Sequence, residues 1–210
     1  MEDWVTISSL ATAGGTLVLA GATFSAVRSS NRSARVAERA LMAGLRPLLM
    51  PSRPDDPPQK VGFADDRWLR VPGGGGAAEV ADGAVYLAMS VRNAGSGIAV
   101  LHGWRLMRTP ERGSGPAPPL DEFERLTRDL YVPAGDVGFW QGVIRDPERE
   151  EVRAVAAAIE RRERIVVDVL YGDHEGGQRV VSRFSLMPSS DGGWIAAAAR
   201  HWNIDRDDPR

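Results

Sequence analysis

The chain has 210 residues, a formal net charge of −2 and no cysteine. The near-neutral balance offers no global attraction to nucleic acid, and the lack of cysteine excludes a disulfide framework, a thiolate metal site and a cysteine nucleophile. Lys60 is the one lysine in the sequence, an arginine bias of the kind GC-rich coding produces, so that the pattern of arginines carries weight and single arginines do not.

Residues 4–27 run for 24 positions without a charge. As a helix this run reaches about 36 Å, enough to cross a hydrocarbon core of about 30 Å. Its large apolar residues, among them Trp4, Leu10, Leu17, Val18, Leu19 and Phe24, are diluted by seven Ser or Thr and three Gly, so insertion is feasible but weakly driven. The run reads as a transmembrane anchor over 1–27. A cleaved secretory signal ending near Ala20-Gly21-Ala22 is the alternative, although the acidic Glu2-Asp3 start does not suit it. A buried or unstructured soluble segment is a third reading. Arginines follow the run and none precedes it, which places the N-terminus outside and the main domain in the cytoplasm.

Arg28, Arg32, Arg35, Arg39 and Arg46 fall within about 60° of one another at 100° per residue. Ala34, Ala37, Ala40 and Leu41 lie opposite. The spacing predicts a juxtamembrane amphipathic helix over 28–46, ended by Pro47. Arg28, Arg32, Arg35 and Arg39 are the candidate contacts to anionic headgroups, each worth about 1 kcal/mol near the surface. A solvated face whose charges fix topology, or a short helix–helix seam through the small residues, explains the same spacing.

Residues 47–60 carry five prolines and read as a stiff linker that either hangs free or runs along the domain. From 61 to 204, short apolar runs alternate with turn residues. Ala84–Asn93, 97–108, 125–132, 137–144, 164–172, 178–187 and 193–202 read as strands, although the alanines of the last also suit a helix, with edge strands in "KVGFADD" and "RWLRV". "DHEGG" between two runs is a hairpin signal. "VPGGGGAAEVADG" and "TPERGSGPAPPLDE" read as flexible loops, and 205–210 as a disordered tail. A helix is predicted over about 147–163, with Asp146 as its N-cap, Pro147 at its first position and an apolar stripe of Val152, Val155, Ala156 and Ile159. The sum is a mainly β chain: an antiparallel sandwich with one inserted helix, preceded by a transmembrane helix that continues into an amphipathic one.

The strand–Asn93-Ala94-Gly95-Ser96-Gly97–strand stretch resembles the first hairpin of bacterial immunoglobulin-like sandwiches. The layout as a whole resembles small single-pass membrane proteins of high-GC actinobacteria. The resemblance implies an immunoglobulin-like fold and a membrane location, and it carries over no catalytic residue.

No local pattern carries chemistry. His102, His174 and His201 have no helical partner and no His-Glu-x-x-His frame, there is no Gly-x-Ser-x-Gly elbow, and no Lys-Ser/Thr pair follows the glycines at 73–76. Asp173, His174 and Glu175 read as a polar hairpin tip, with cation binding as the functional counterpart. Trp140, Trp194 and Trp202 suit a core, with an exposed binding surface as the functional counterpart, and Trp68 with Arg67 and Arg70 is a candidate for facing the membrane. The sequence points to a membrane-tethered, non-enzymatic interaction module without cofactor or metal, whose partners are the bilayer and another protein and not nucleic acid. A membrane-anchored ligand-binding or hydrolytic domain with a loop-built pocket around His102, His174 and the glycines is the alternative.

Overall fold

A helix comes first among the described elements, and every later one is β except one α-helix and a single 3-10 turn at Leu120–Glu122. The structure, a computed structural model, describes residues 2–107 and 115–205, with side chains described from Gly14 onward apart from Ala43. The chain divides into two units, Met1–Ala43 and Gly44–Arg210.

Helix α1 covers Glu2–Gly44 and makes up the first unit. It joins the expected anchor and the expected amphipathic helix without a break, because residues 2–44 contain no proline and are rich in alanine. Leu17, Val18, Leu19, Phe24 and Val27 are more than half exposed, and so are Val36 and Leu41. Among the described residues no helix is long and apolar enough to cross a membrane. The described side chains begin ten residues into the uncharged run. The helix ends at Gly44, so Arg46 leaves the stripe and belongs to the second unit.

The second unit contains β1 (Leu49–Pro51), β2 (Gln59–Gly62), β3 (Trp68–Val71), β4 (Gly75–Ala81), β5 (Ala84–Asn93), β6 (Ala99–Leu106), β7 (Glu124–Val132), β8 (Val137–Ile144), α2 (Glu150–Glu160), β9 (Ile165–Gly172), β10 (Arg179–Pro188) and β11 (Trp194–Asn203). Nine strands form one antiparallel sheet in the order β1-β5-β4-β11-β10-β9-β6-β7, with β8 also on β5. Because β4 and β8 both pair with residues 85–89 of β5, they occupy its opposite edges, and β1 continues the β4 edge at residues 91–93. Hydrogen bonding thus runs through one curled sheet, where two facing sheets were expected. The curl has local causes. β10 is irregular at Arg183/Phe184 and β6 at Leu101/Gly103, and such bulges bend a strand and raise its twist.

The second cause is Gly75-Gly76. β4 pairs with β11 through these two residues alone and then follows β5. A Cβ on Gly76 would meet Leu186 Cδ2 at 2.5 Å and the Ala88 carbonyl oxygen at 2.9 Å. The glycines expected to form a flexible loop are therefore a sheet corner, where close strand approach excludes a side chain.

Inside the curl, Leu49, Leu87, Met89, Leu101, Trp140, Val167, Tyr171, Phe184 and Leu186 are essentially inaccessible. Each large apolar side chain so buried contributes about 1.5–3 kcal/mol relative to exposure. Helix α2 packs against β4, β5 and β9 through Val152 and Val155, with Ala156 and Ile159 half-buried, as the stripe predicted. Its N-cap is Arg149, and not Asp146. Asp146 instead folds back in a turn that accepts the Glu148 N–H at 3.1 Å.

β5 is buried on both faces. Val85, Leu87, Met89 and Val91 point into the curl, while Ala84, Tyr86 and Ala88 point outward under the β2–β3 hairpin. The hairpin covers them with Val61, Phe63, Leu69 and Val71, and Phe63 meets Tyr86 edge-on with centroids 5.1 Å apart.

The linker is a docked segment. Leu49, Met50 and Pro51 pair with β5, and Leu49 and Ser52 are buried. Asn93 organises this docking. Its Oδ1 accepts the Leu48 and Gly95 N–H groups, and its Nδ2 donates to the Gly97 and Val132 carbonyls. Its main chain bonds Asp136 and Gly135. Gly95 and Gly97 let the backbone of residues 45–48 lie directly on the turn, since a Cβ on either would overlap it.

Of the expected loop at 109–122, the part up to Ser114 lies outside the described residues, as do residues 206–210 of the expected tail. Asp205 is held by Arg179 at 2.8 Å. Gly115 meets the outer face of the sheet, where its carbonyl accepts Trp202 Nε1–H at 3.3 Å. On that face Asp168 is fully buried. It takes both forks of Arg183 at 2.7 and 2.9 Å and Arg105 Nε at 3.0 Å. This ladder crosses three strands, and Arg183 and Arg200 both stack on Trp202.

Candidate functional site

The two ends of the curled sheet, β7 and β8, are consecutive in sequence and joined by the turn at 133–136, yet they are not paired with each other. β7 also leaves β6. It pairs at Val132, Tyr131 and Leu130, then again at Arg125 and Glu124, so residues 126–129 stand opposite the single residue His102. A seam results, with β7 on one side and the free edge of β8 on the other. Its lining includes Trp104, Leu126, Thr127, Arg128, Gln141 and Gly142. Thr127, Arg128 and Gln141 continue into a second groove, closed by Gly62, Phe63, Ala64 and Trp68 of the β2–β3 hairpin.

The side chains here are positioned by their neighbours. Arg128 donates to Gln141 Oε1 at 2.8 Å and to the Gly62 carbonyl at 3.4 Å, and its guanidinium lies 5.7 Å from the Phe139 ring centre. Trp68 is 58% exposed. Its ring lies over Gly62, its cross-strand partner, where a Cβ would come within 2.8 Å of the indole. The Lys60 ammonium sits 4.6 Å above the same ring. Trp68 is thus an immobilised aromatic surface open to solvent, a combination suited to contact.

Beyond the hairpin, Asp65, Asp66, Arg67, Asp82, Tyr86 and Arg145 line a polar depression. The Tyr86 hydroxyl donates to Asp65 and Arg145 approaches it at 3.1 Å. The Tyr86 bond, with Arg145 adding to it, holds the Asp65 carboxyl below its ordinary value, and the same bond raises the Tyr86 phenol. Arg67 pairs with Glu79 at 2.7 Å and Asp82 at 3.2 Å. Asp65 with Arg145 and Tyr86, and Arg67 with Asp82 and Glu79, thus satisfy one another.

Charge is less balanced in the seam. Glu124 is paired with Arg149 at 2.5 Å. Arg128 bonds neutral oxygens, and among the described residues Arg125 and Lys60 have no ionic partner. The seam presents unpaired main chain, an apolar floor and uncompensated positive charge.

The residues singled out in the sequence fall elsewhere in part. Arg28, Arg32, Arg35 and Arg39 are all exposed along α1, and so is the opposite face with Ala34, Ala37, Ala40 and Leu41. Trp140, Trp194 and Trp202 are core residues. His174 sits at its hairpin tip, 3.2 Å from Glu175, and His102 is exposed on β6. His201 Nδ1 lies 2.6 Å from Ser182 Oγ, which lies 2.8 Å from the Tyr171 hydroxyl, which accepts the Leu49 N–H at 3.0 Å. Every hydroxyl is satisfied when Tyr171 donates to Ser182 and Ser182 to His201. Ser182 is fully buried, so this chain is a structural relay without room for an acyl group. Among the described residues no three metal-ligating side chains come together. The seam residues Arg125, Thr127, Arg128 and Gln141 do not stand out in the sequence. The one signal there is the charge density of "ERLTRDL", which marks an edge strand.

Compared with family models, with curated proteins and with solved structures, the chain matches none of them.

Proposed function

We propose that the chain is a membrane-tethered, non-enzymatic interaction module: α1 holds it at the bilayer, and the seam between β7 and β8 receives a partner protein. The observation that carries the reading is the seam itself, an unpaired pair of strand edges beside an exposed, fixed tryptophan. Unpaired edges in native proteins are usually covered or blunted, and one left open is a template for another chain.

The tether rests on α1. Its exposed Leu17, Val18, Leu19, Phe24 and Val27 need an apolar environment, which lipid supplies. The arginines that follow suit anionic headgroups, and their position after the uncharged run favours a cytoplasmic β domain. Since no described helix is long and apolar enough to cross a membrane, the form of tether this favours is α1 lying in the interface.

Two measurements test the reading. Flotation of membranes at physiological salt, with cytoplasmic-only and external-only reporters fused to the C-terminus, should give a membrane-associated chain with the cytoplasmic reporter active. Release into the soluble fraction would end the tether. A photo-crosslinking residue at Thr127, used in living cells, should yield discrete adducts that the same residue at Gly83, away from the seam, does not. Equal patterns at both positions would remove the seam as the contact surface.

A further inference from the structure

We infer that the occupant of the seam is an extended peptide strand with acidic side chains. This rests on the interaction-module reading and names the chemistry of its partner.

Three observations converge on it. The first is main-chain geometry. Residues 126–129 of β7 have left β6, and β8 is paired on its β5 side alone. An inserted strand would supply the ladder that β7 and β8 do not make with each other, completing the curl of the sheet. A helix or a folded surface would leave these edges unanswered.

The second is the alternation of the lining. An added strand turns successive side chains to opposite faces. One face of the seam is floored by Trp104, Leu126 and Leu130, and the outer rim carries Arg125, Arg128 and Arg145. The seam therefore suits a segment that alternates apolar and anionic residues. Trp68 at the groove end offers a flat surface to a further apolar residue.

The third is charge. Of the acids near the seam, Glu124 is engaged by Arg149 and Asp65 by Arg145, and Asp129 accepts from Tyr131 outside the lining, whereas Arg125 and Arg128 have no carboxylate partner among the described residues. Carboxylates on the incoming strand supply those partners, and planar guanidinium groups favour them through paired hydrogen bonds.

The test uses the full-length chain in mild detergent. The probe is a blocked synthetic heptapeptide of alternating glutamate and valine. Its comparators are the same peptide with glutamine for glutamate, the same peptide N-methylated at alternate positions, and phosphatidylserine vesicles. Amide hydrogen exchange and fluorescence anisotropy are the readouts. Saturable binding is expected, with slowed exchange confined to β7 and β8. The glutamine peptide should bind at least tenfold more weakly, and the methylated one should give no protection. Arg125→Glu, a change at a side chain without an ionic partner among the described residues, should raise Kd severalfold, and Arg125→Glu with Arg128→Glu more than tenfold, at unchanged melting temperature for the single variant. The proposal is overturned by absent or non-saturable binding, by protection elsewhere, by equal binding of the glutamine or methylated peptide, or by protection that vesicles alone reproduce. If crosslinking from Thr127 still captures discrete partners while the acidic peptide leaves the seam unprotected, the interaction module stands and the acidic strand falls.

Discussion

Asn93 and Tyr171 show how single polar side chains fix this fold. Asn93 uses both lone-pair directions of its oxygen and both N–H groups, fully buried, to tie three chain segments together. Asn93→Ala orphans two N–H groups and two carbonyls at once. The expected loss is about 3–5 kcal/mol, read from the urea midpoint. Tyr171 gives a pH signature. Burial pushes its phenol up to about 12. The folded state holds the proton more tightly than the unfolded chain, whose phenol titrates near 10. The stabilisation is thus complete below pH 10 and is lost as pH rises from 10 toward 12, by roughly 2–3 kcal/mol. Subtracting the unfolding free energy of Tyr171→Phe from that of the parent across pH 9–12 isolates this slope. A flat difference would mean that Tyr171 is not the titrating group.

Among the elements, β4 is the test of the curled sheet. Gly76→Ala places a methyl against the Ala88 carbonyl, which belongs to a central strand and cannot yield, so a loss of about 1–3 kcal/mol is expected. Gly83→Ala is the contrast. At φ +75 with open space around it, backbone strain alone applies, costing roughly 1–2 kcal/mol without disturbing the sheet. Heteronuclear spectra should show the Gly76 variant spreading shifts to β5 and β11, and the Gly83 variant confining them to its turn. These glycines also explain what could be read in advance. The strands at 84–93, 137–144 and 164–172 announce themselves because alternation and β-branched residues are local properties. β4 and β1 do not. Their glycines and prolines answer to distant partners, Leu186, Trp194 and Asn93, which local pattern cannot reveal. The Asp168–Arg183–Arg105 ladder is invisible in the sequence for the same reason: each member reads as an ordinary surface charge until three strands bring them under Trp202. Of the seam, Trp68 beside Arg67 and Arg70 reads in the sequence only as a candidate membrane contact, and the gap beside it is a feature of pairing, which is not written in either strand.

At the scale of the molecule, the division at Ala43 and Gly44 predicts where the chain can be cut. A chain beginning at Gly44 keeps the docked segment and should melt within a few degrees of the full-length protein. One beginning at Arg53 loses β1 and the buried Leu49, leaves Tyr171 without its Leu49 partner, and should lose about 3–5 kcal/mol. Calorimetry of the two shortened chains checks both statements. Equal melting temperatures would mean that β1 is ornamental to the fold.

The docking of β1 on β5 also governs how tension would pass through the protein. A pull along the chain from α1 enters at β1, and a pull from a strand held in the seam enters at β8. Both strands are laddered to β5, so the line of load crosses two strand interfaces, with the Leu49–Tyr171 bond the one described hydrogen bond from β1 to β9. The weaker link on that line is the β1–β5 ladder, with three residue pairs against eight in β5–β8. Under strain the molecule would part first at its own tether, leaving the sheet closed around its core and the partner still bound.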